Sequence, residues 1–504
     1  MANKKERAIV LGADIEGLAA AATLAKAGLK VKVVDAMVAP GGASRALEFH
    51  PGHVAPGLLH ETALVRQKLL AHLELEKHGL AWRSDERPVH VMNAQGKVQT
   101  VSRGAISDSP SAGAYVEWRN FVDKLSPLIA DVLDDTPPEA VAPSLMEMFS
   151  LAKKGLRMRS LGEKDMMELM RIVTMPAWDW MEERFEDQAL RAALTALALP
   201  GTVIGPRAAG TTAMILMREA ARGAEPLGGL AAVTDALMKC CKEMDVQFHL
   251  GAKPKSIQTD SSGIVSGVQL ENGELLETDL MLSALSPQET LLDLTHPGLI
   301  PHHVETEVQS WRTRGSSAIL LLALDKPANL PGKAERLITA TTPLELERAA
   351  DALKYGELPS EPWLDVRDWG QSDANCAPAG AGTLSIHVHG VSHALSGGWN
   401  DAARKELSEK TLTALEKVLP GVRASIVREE LLTPVEIEQR FGLRGGQIYG
   451  GEQVLDQLWV QRPALALCRY ETPVPGLFLA GASSHPGGPF IGGAGVLAAR
   501  RALV

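Results

Sequence analysis

The feature that most constrains this fold is a glycine turn between a short strand and a helix near the amino terminus. Residues 8–12 read AIVLG, an apolar run that predicts a buried parallel strand. Residues 17–27 are rich in alanine and predict a helix that is closed by Gly28. Residues 30–35 read KVKVVD and predict a second strand that ends in an acid. Short loops around one helix between two strands predict a right-handed βαβ unit.

The turn that joins the first strand to the helix reads GADIEG and spans residues 12–17. The dinucleotide-binding fingerprint has glycine at the first, third and sixth positions. Gly12 and Gly17 match it, and Asp14 occupies the third position. Asp35 follows Gly17 by eighteen residues, where the fingerprint has an acid that binds a ribose hydroxyl. Because strand, helix, second strand and acid keep the expected register, the sequence predicts a dinucleotide-binding domain.

Length and composition limit the remaining classes. At 504 residues the chain exceeds one ordinary core, which predicts two domains. The net charge of −10 gives no basic face for a nucleic acid. The apolar stretch after the basic residues 1–7 is too short for a signal sequence, and no stretch approaches the roughly 20 apolar residues of a membrane span. The cysteines have no metal-like spacing and predict reduced thiols in a cytoplasmic protein: Cys240, Cys241, Cys376 and Cys468.

The rest of the chain predicts an interleaved α/β architecture. Residues 60–220 are mostly helical in pattern, while 316–324 and 383–390 read as strands of a second sheet. The expected fold is a Rossmann-like dinucleotide-binding domain interleaved with a mixed-sheet substrate domain that carries a helical cap. The predicted nucleotide domain comprises residues 1–75, 222–300 and 465–504, and the predicted substrate domain comprises residues 76–221 and 301–464.

Four segments carry a resemblance to a known family. Residues 10–44 (VLGADIEGLAAAATLAKAGLKVKVVDAMVAPGGAS) and 462–503 (RPALALCRYETPVPGLFLAGASSHPGGPFIGGAGVLAARRAL) are the two terminal segments. Residues 228–287 and 442–463 are the internal ones. Together they resemble FAD-dependent oxidoreductases of the phytoene desaturase and amine oxidase superfamily, in particular phytoene-dehydrogenase-related proteins. Residues 85–220 match only loosely, and substrate choice would lie there.

The resemblance implies an FAD cofactor and a set of contacts. The glycine turn would face the pyrophosphate, Asp35 the adenosine ribose, and the backbone at position 254 the adenine. The carboxy-terminal loop would pass the ribityl chain and the isoalloxazine, with His485 near the ring as the candidate catalytic residue or as a loop histidine held by backbone bonds. The cofactor contacts implied are Gly12, Ala13, Asp14, Ile15, Glu16, Gly17, Asp35, Ala36, Gly41, Gly42, Ala43, Ser44, Pro254, Gly481, Ala482, Gly492, Gly493 and Ala494.

Two residues depart from the family pattern and leave a second interpretation open. Asp14 places a carboxylate where a pyrophosphate would lie, and it can instead cap the helix. Pro254 has no backbone N–H for the adenine. The first interpretation is an FAD-dependent oxidoreductase that acts on an apolar or partly apolar small molecule. The alternative is a flavin-free member of the fold, either a non-redox enzyme or a hydrophobic-ligand-binding protein, as in the Rab GDP-dissociation inhibitors that resemble this superfamily.

Other side chains have weaker functional interpretations. His387 and His389 alternate along a strand without a nearby third ligand, so no metal site is predicted. The cluster around Trp178 and Trp180 either lines an apolar substrate cavity or forms ordinary core. Residues 145–175 leave peripheral membrane contact open, and a homodimer is also open.

Overall fold

A computed structural model describes residues 6–93, 95–139 and 145–504. The strands are β1 (Arg7–Leu11), β2 (Lys30–Asp35), β3 (Leu47–His50), β4 (His53–Ala55), β5 (Val89–Met92), β6 (Val98–Val101), β7 (Gln247–Leu250), β8 (Pro254–Thr259), β9 (Val265–Leu270), β10 (Leu275–Glu277), β11 (Leu280–Ser283), β12 (Ser317–Leu324), β13 (Arg336–Ile338), β14 (Leu364–Asp368), β15 (Gly382–His389), β16 (Ile426–Leu432) and β17 (Leu477–Leu479). The helices are α1 (Ile15–Lys26), α2 (Gln67–Leu70), α3 (Ala112–Asp134), α4 (Leu145–Ser160), α5 (Glu163–Ile172), α6 (Ala177–Arg184), α7 (Gln188–Ala196), α8 (Thr211–Ala221), α9 (Gly229–Glu243), α10 (His302–Gln309), α11 (Pro343–Lys354), α12 (Trp369–Ser372), α13 (Asp401–Val418), α14 (Pro434–Phe441) and α15 (Gly493–Ala502).

A five-stranded sheet in the order β17-β11-β1-β2-β7 carries the predicted βαβ unit. Every neighbouring pair in it is parallel, and Val10 of β1 lies between Val33 of β2 and Leu282 of β11. Such a sheet is buried on both faces, which explains why β1 is almost wholly apolar. The α/β fold class and the first strand–helix–strand unit are therefore confirmed.

Two glycines allow helix α1 to approach its neighbours closely. A Cβ at Gly17 would collide with the carbonyl oxygen of Gly12, so the turn and the helix can close only around glycine. A Cβ at Gly495 in α15 would collide with the carbonyl oxygen of Glu16. The last helix of the chain is therefore packed directly against the first turn of α1.

We expect Gly495→Ala to lower the free energy of unfolding by about 1–3 kcal/mol, because the added methyl group must push two packed helices apart. Chemical denaturation followed by circular dichroism measures the change. Gly113→Ala in α3 is the matched control, since its Cβ would meet no atom within 4 Å. Equal stability of Gly495→Ala and the wild type would show that this contact is not tight.

The second large sheet has seven strands in the order β16-β12-β15-β14-β13-β5-β6. Its central strands β12 and β15 are buried along their whole length, and helices α3 to α8 lie between β6 and α9 in sequence. The five parallel strands come from the segments predicted for the nucleotide domain, and these seven come from the segments predicted for the substrate domain. The domain limits themselves stay a prediction. Among the residues described, no helix is both long and apolar enough to cross a membrane.

Candidate functional site

A groove runs along the carboxyl edge of the parallel sheet, beside the glycine turn. Twelve of the predicted contact residues line it: Gly12, Asp14, Ile15, Glu16, Asp35, Ala36, Gly41, Gly42, Ala43, Ser44, Pro254 and Ala482. The other six lie next to the groove without lining it: Ala13, Gly17, Gly481, Gly492, Gly493 and Ala494. Carboxyl edges of open parallel sheets are where such folds bind ligands.

Asp14 occupies the point where the turn enters the helix. Its backbone is extended (φ −73°, ψ 179°), and its Oδ1 accepts the amide of Gly17 at 2.8 Å. Asp14 is therefore the N-cap of α1 and satisfies a donor that an anionic ligand would otherwise use. Burial, together with the nearby charge of Asp35, raises the pKa of Asp14 to about 6. The carboxyl group is thus easily protonated near neutral pH.

Asp35, the acid at the end of β2, is also turned towards the glycine turn. Its Oδ2 accepts the amide of Ala13 at 2.6 Å, and its Oδ1 accepts the amide of Met37 at 2.7 Å. Each carboxylate oxygen has a second lone pair, so Asp35 can still accept a ribose hydroxyl. The predicted ribose contact therefore fits this geometry.

The side chain of Glu16 accepts backbone amides at the start of α15, a contact that the sequence did not reveal. Its two carboxyl oxygens accept the amides of Gly492 at 2.6 Å and Gly495 at 2.8 Å. These amides belong to the first turn of α15, where helix dipoles favour negative charge. Burial nevertheless raises the pKa of Glu16 to about 8. A buried carboxyl group thus satisfies the amides at the start of α15, next to the glycine turn.

The fit of FAD differs along the groove. The β2 side combines apolar residues with the acids Asp35 and Glu289, and the later segments of the lining are mainly apolar side chains and backbone. The apolar residues, which suit an adenine and an isoalloxazine, are Val34, Ala36, Met37 and Leu285 on the β2 side, and Leu59, Ile448, Gly450, Ala482 and Ile491 in the later segments. The middle carries Asp14 and Glu16, whose ionised forms oppose a pyrophosphate. The free volume is about 170 Å³, below the roughly 300–1,000 Å³ of typical ligand pockets. The chemistry of the two ends suits FAD, that of the middle suits it when the carboxyl groups are neutral, and the groove must widen to admit the whole cofactor.

Pro254 begins strand β8 and lines the groove at the adenine end. It has no N–H to donate, as its sequence position implied. Glu289 lines the same wall, and burial raises the pKa of its carboxyl group. The adenine end therefore carries a second acid that the sequence did not single out.

His485 does not line the groove. Its Nε2 lies 3.0 Å from the carbonyl oxygen of Val132 in α3, and its own carbonyl accepts the hydroxyl of Tyr470 at 2.9 Å. Burial lowers the pKa of His485 to about 4, so the ring is neutral. This geometry matches the loop histidine held by backbone bonds, and a catalytic role stays a prediction without a contact that supports it.

A second cavity, of about 340 Å³, is lined in part by residues 61–64, which follow the groove residue Leu59 in the chain. Six arginines and four carboxylates line it: Arg83, Arg87, Arg103, Arg218, Arg222 and Arg336, with Glu61, Asp85, Glu86 and Glu225. Sequence reasoning missed this cavity, because its charged residues come from five separate stretches of the chain and none carries a motif. We call it the arginine cavity.

His387, His389 and Trp180 are buried, whereas Trp178 is half-buried beneath the guanidinium of Arg207. His387 stacks on His60 with ring centroids 3.9 Å apart, and His389 stacks on Trp363 at 4.0 Å. Burial holds the pKa of His389 at about 3, so its ring is neutral. Trp180 packs in the helical core. Among the described residues, no group of three or more His, Cys, Asp or Glu side chains could hold a metal ion.

The chain is similar to known proteins along nearly its whole length. The family model described as flavin containing amine oxidoreductase matches residues 17–503. The pyridine nucleotide-disulfide oxidoreductase domain-containing protein 2 of Rattus norvegicus is 27% identical over 543 residues, covering 97% of this chain and 91% of that protein. The zeta-carotene-forming phytoene desaturase of Myxococcus xanthus is 25% identical over 499 residues, covering 95% and 90%.

Solved structures share the fold along nearly the whole chain. An oxidoreductase from Methanosarcina mazei aligns with a TM-score of 0.61 and 16% identity, covering 98% of this chain and 99% of that one. Putrescine oxidase bound to putrescine aligns with a TM-score of 0.61 and 17% identity, covering 99% and 98%. At these identities the likeness concerns the fold alone.

Proposed function

Because the chain belongs to the family of flavin-containing amine oxidoreductases, we propose that it is an FAD-dependent oxidoreductase of the dehydrogenase or desaturase type. Its proposed substrate is a partly apolar small molecule. The observation that carries the cofactor proposal is the groove beside the glycine turn, whose two ends suit adenosine and a flavin ring. FAD, when bound, accepts a hydride from the substrate.

In this proposal the chain's own residues bind and orient. Asp35 would hold the adenosine ribose through the lone pairs that its backbone contacts leave free. Leu59, Ile448 and Ile491 would surround the ring end with apolar surface and exclude water from it. Their apolar lining supports an apolar portion of the substrate at the reacting carbon. The catalytic contribution is thus mainly positioning and exclusion of solvent.

A second candidate function is a flavin-free binding protein or non-redox enzyme on the same frame. One observation favours it: the carboxyl groups of Asp14, Asp35 and Glu16 already accept the turn and helix amides that a bound dinucleotide would use. These donors therefore need no ligand in the groove to be satisfied.

Titration of the purified protein with FAD distinguishes the two candidates. We expect saturable binding with the visible absorbance change of a bound flavin, and weaker binding of riboflavin, which lacks the adenosine that Asp35 would hold. A protein that shows no binding at millimolar FAD, at pH 6 as well as at pH 8, would contradict the oxidoreductase proposal and support the flavin-free one.

We also propose a cytoplasmic location, which four free and buried cysteines support. Peripheral membrane contact through α4 and α5 stays a proposal, supported by four exposed apolar side chains on these helices: Met148, Leu156, Met167 and Met170. A homodimer stays open as well.

A further inference from the structure

We propose that the arginine cavity binds a carboxylate group of the substrate, so that the oxidised molecule is a small organic acid with an apolar portion. This inference rests on the proposed function, since it names the substrate class of the same site.

The arginine cavity adjoins the ring end of the groove. Leu59 lines the groove, and Glu61, two residues later in the chain, lines the arginine cavity. The guanidinium of Arg218 lies over the ring of Tyr449, 5.8 Å from its centroid, and the neighbouring Ile448 lines the groove. In this proposal the wall at residues 59–61 and 448–449 opens, so that a ligand holds one end in the arginine cavity and presents the other to the flavin end.

The arginines of the cavity offer hydrogen-bond donors that the protein does not use. Arg218 is 2% exposed, yet its Nε has no hydrogen-bond partner among the described residues. Arg222 makes two long ion pairs, at 3.6 Å to Glu86 and 3.8 Å to Glu219, both beyond hydrogen-bond distance. Arginine has donors only, so the missing partner must be an acceptor.

The carboxylates of the cavity, in contrast, each have at least one partner in the protein. Glu225 accepts the hydroxyl of Thr62 at 2.9 Å and Nη2 of Arg367 at 2.8 Å, and it pairs with Nη1 of Arg87 at 2.7 Å. Both oxygens of Glu86 accept the amide of Arg103, at 2.9 and 3.0 Å.

The remaining acids are paired in the same way. Asp85 binds Arg83 at 2.9 Å, and Glu61 is paired with Arg218. Behind the wall, Asp365 holds Arg336 through two bonds of 2.9 and 2.7 Å. Among the described residues of the lining, the buried donors without a hydrogen bond, on Arg83, Arg87 and Arg218, outnumber the buried acceptors in the same condition, represented by Oε2 of Glu61. This excess of donors favours an anionic ligand over a cationic one.

A carboxylate suits this surplus better than a phosphate. Arginine binds either anion through two parallel N–H bonds. The two oxygens of a carboxylate suffice for the unused donors of Arg218 and Arg222, whereas a phosphate would bring further acceptor oxygens among the four acids of the lining. The volume of about 340 Å³ lies at the small end of the roughly 300–1,000 Å³ range of ligand pockets, which suits a compact acid.

Calorimetric titration of the full-length protein with three probes tests the proposal: benzoate, its neutral analogue benzamide, and phenyl phosphate. We expect benzoate to bind at least tenfold more tightly than benzamide and more tightly than phenyl phosphate. Arg222→Ala should weaken benzoate at least fivefold and leave benzamide unchanged. Arg348→Ala, at an exposed position of α11, is the matched control and should leave both unchanged.

A second variant tests the buried member. Arg218→Met combined with Glu61→Gln removes the ion pair without leaving a lone buried charge, and it should also weaken benzoate at least fivefold. Equal affinity for benzoate and benzamide, tighter binding of phenyl phosphate, or unchanged benzoate affinity in folded Arg222→Ala would overturn the proposal. FAD titration of the same samples reports the cofactor separately, so a wild type that binds FAD but does not bind benzoate contradicts this inference alone.

Discussion

Replacing Asp14 by glycine should tighten FAD binding by roughly 30- to 160-fold at pH 8, which corresponds to about 2–3 kcal/mol of removed like-charge repulsion. The change deletes the carboxylate at the third fingerprint position and frees the amide of Gly17 for the pyrophosphate. It also opens the close approach to Gly42, whose added Cβ would stand 3.2 Å from the Cβ of Asp14. Titration with FAD, followed by flavin absorbance or calorimetry, measures the effect.

Two controls separate the causes of this gain. Asp14→Asn keeps the size and removes the charge, so it should recover most of the gain if repulsion dominates. Asn400→Gly removes the N-cap of α13, where the side chain accepts the amide of Ala403, and should leave FAD affinity unchanged. Unchanged FAD affinity in Asp14→Gly would show that this carboxylate does not weaken the cofactor site.

The fold could be predicted from the sequence because its signals are local. The strand, the turn and the helix around Gly12 and Gly17 are contiguous, and each has a pattern set by burial or by backbone geometry. The sequence also showed that Asp14 replaces the third glycine of the fingerprint, because that position lies within the same short motif. Its role as the N-cap could be predicted because aspartate is a preferred N-cap residue.

The parts that the sequence did not reveal depend on contacts between distant segments. Glu16 reads as an ordinary helix residue until α15 places its first amides on the carboxyl group. His60 joins His387 and His389 only when β15 packs against the segment after β4. Ile448 and Gly450 lie in residues 442–463, a segment that carried part of the family resemblance. The resemblance marked this segment but did not indicate that the two residues line the groove.

The arginine cavity changes the picture of the substrate more than any single motif. An interpretation based on composition favours apolar cavities in a methionine-rich helical region, since that region looks hydrophobic in one dimension. In the folded chain Trp180 joins the core, while Arg218 and Arg222 of the same helical region face a cavity. Helical periodicity shows which face is polar, but it does not show whether that face meets water or another polar wall.

FAD binding to the wild type should weaken as pH rises from about 6 to 8, by up to tenfold per pH unit. The pKa of Asp14 is raised to about 6 and that of Glu16 to about 8. Below pH 6 both carboxyl groups are mostly protonated and do not repel the pyrophosphate, which stays ionised throughout. Between pH 6 and 8 Asp14 loses its proton before Glu16 does. FAD binding must then either return a proton to Asp14 or bring the pyrophosphate against an ionised carboxylate. FAD titrations at half-unit pH steps measure the slope.

If the charge of Asp14 causes both effects, the free energy of FAD binding lost between pH 6 and 8 is the same free energy that Asp14→Gly recovers. Asp14→Gly should therefore bind FAD with little dependence on pH between 6 and 7, where Glu16 is still protonated, and the gain over the wild type should shrink towards pH 5. Adenosine, which lacks the pyrophosphate, is the matched ligand control and should bind the wild type equally at pH 6 and 8. A gain of the same size at pH 5 and pH 8 would assign the effect to the volume of the Asp14 side chain, since a protonated carboxyl group has the same size and no charge.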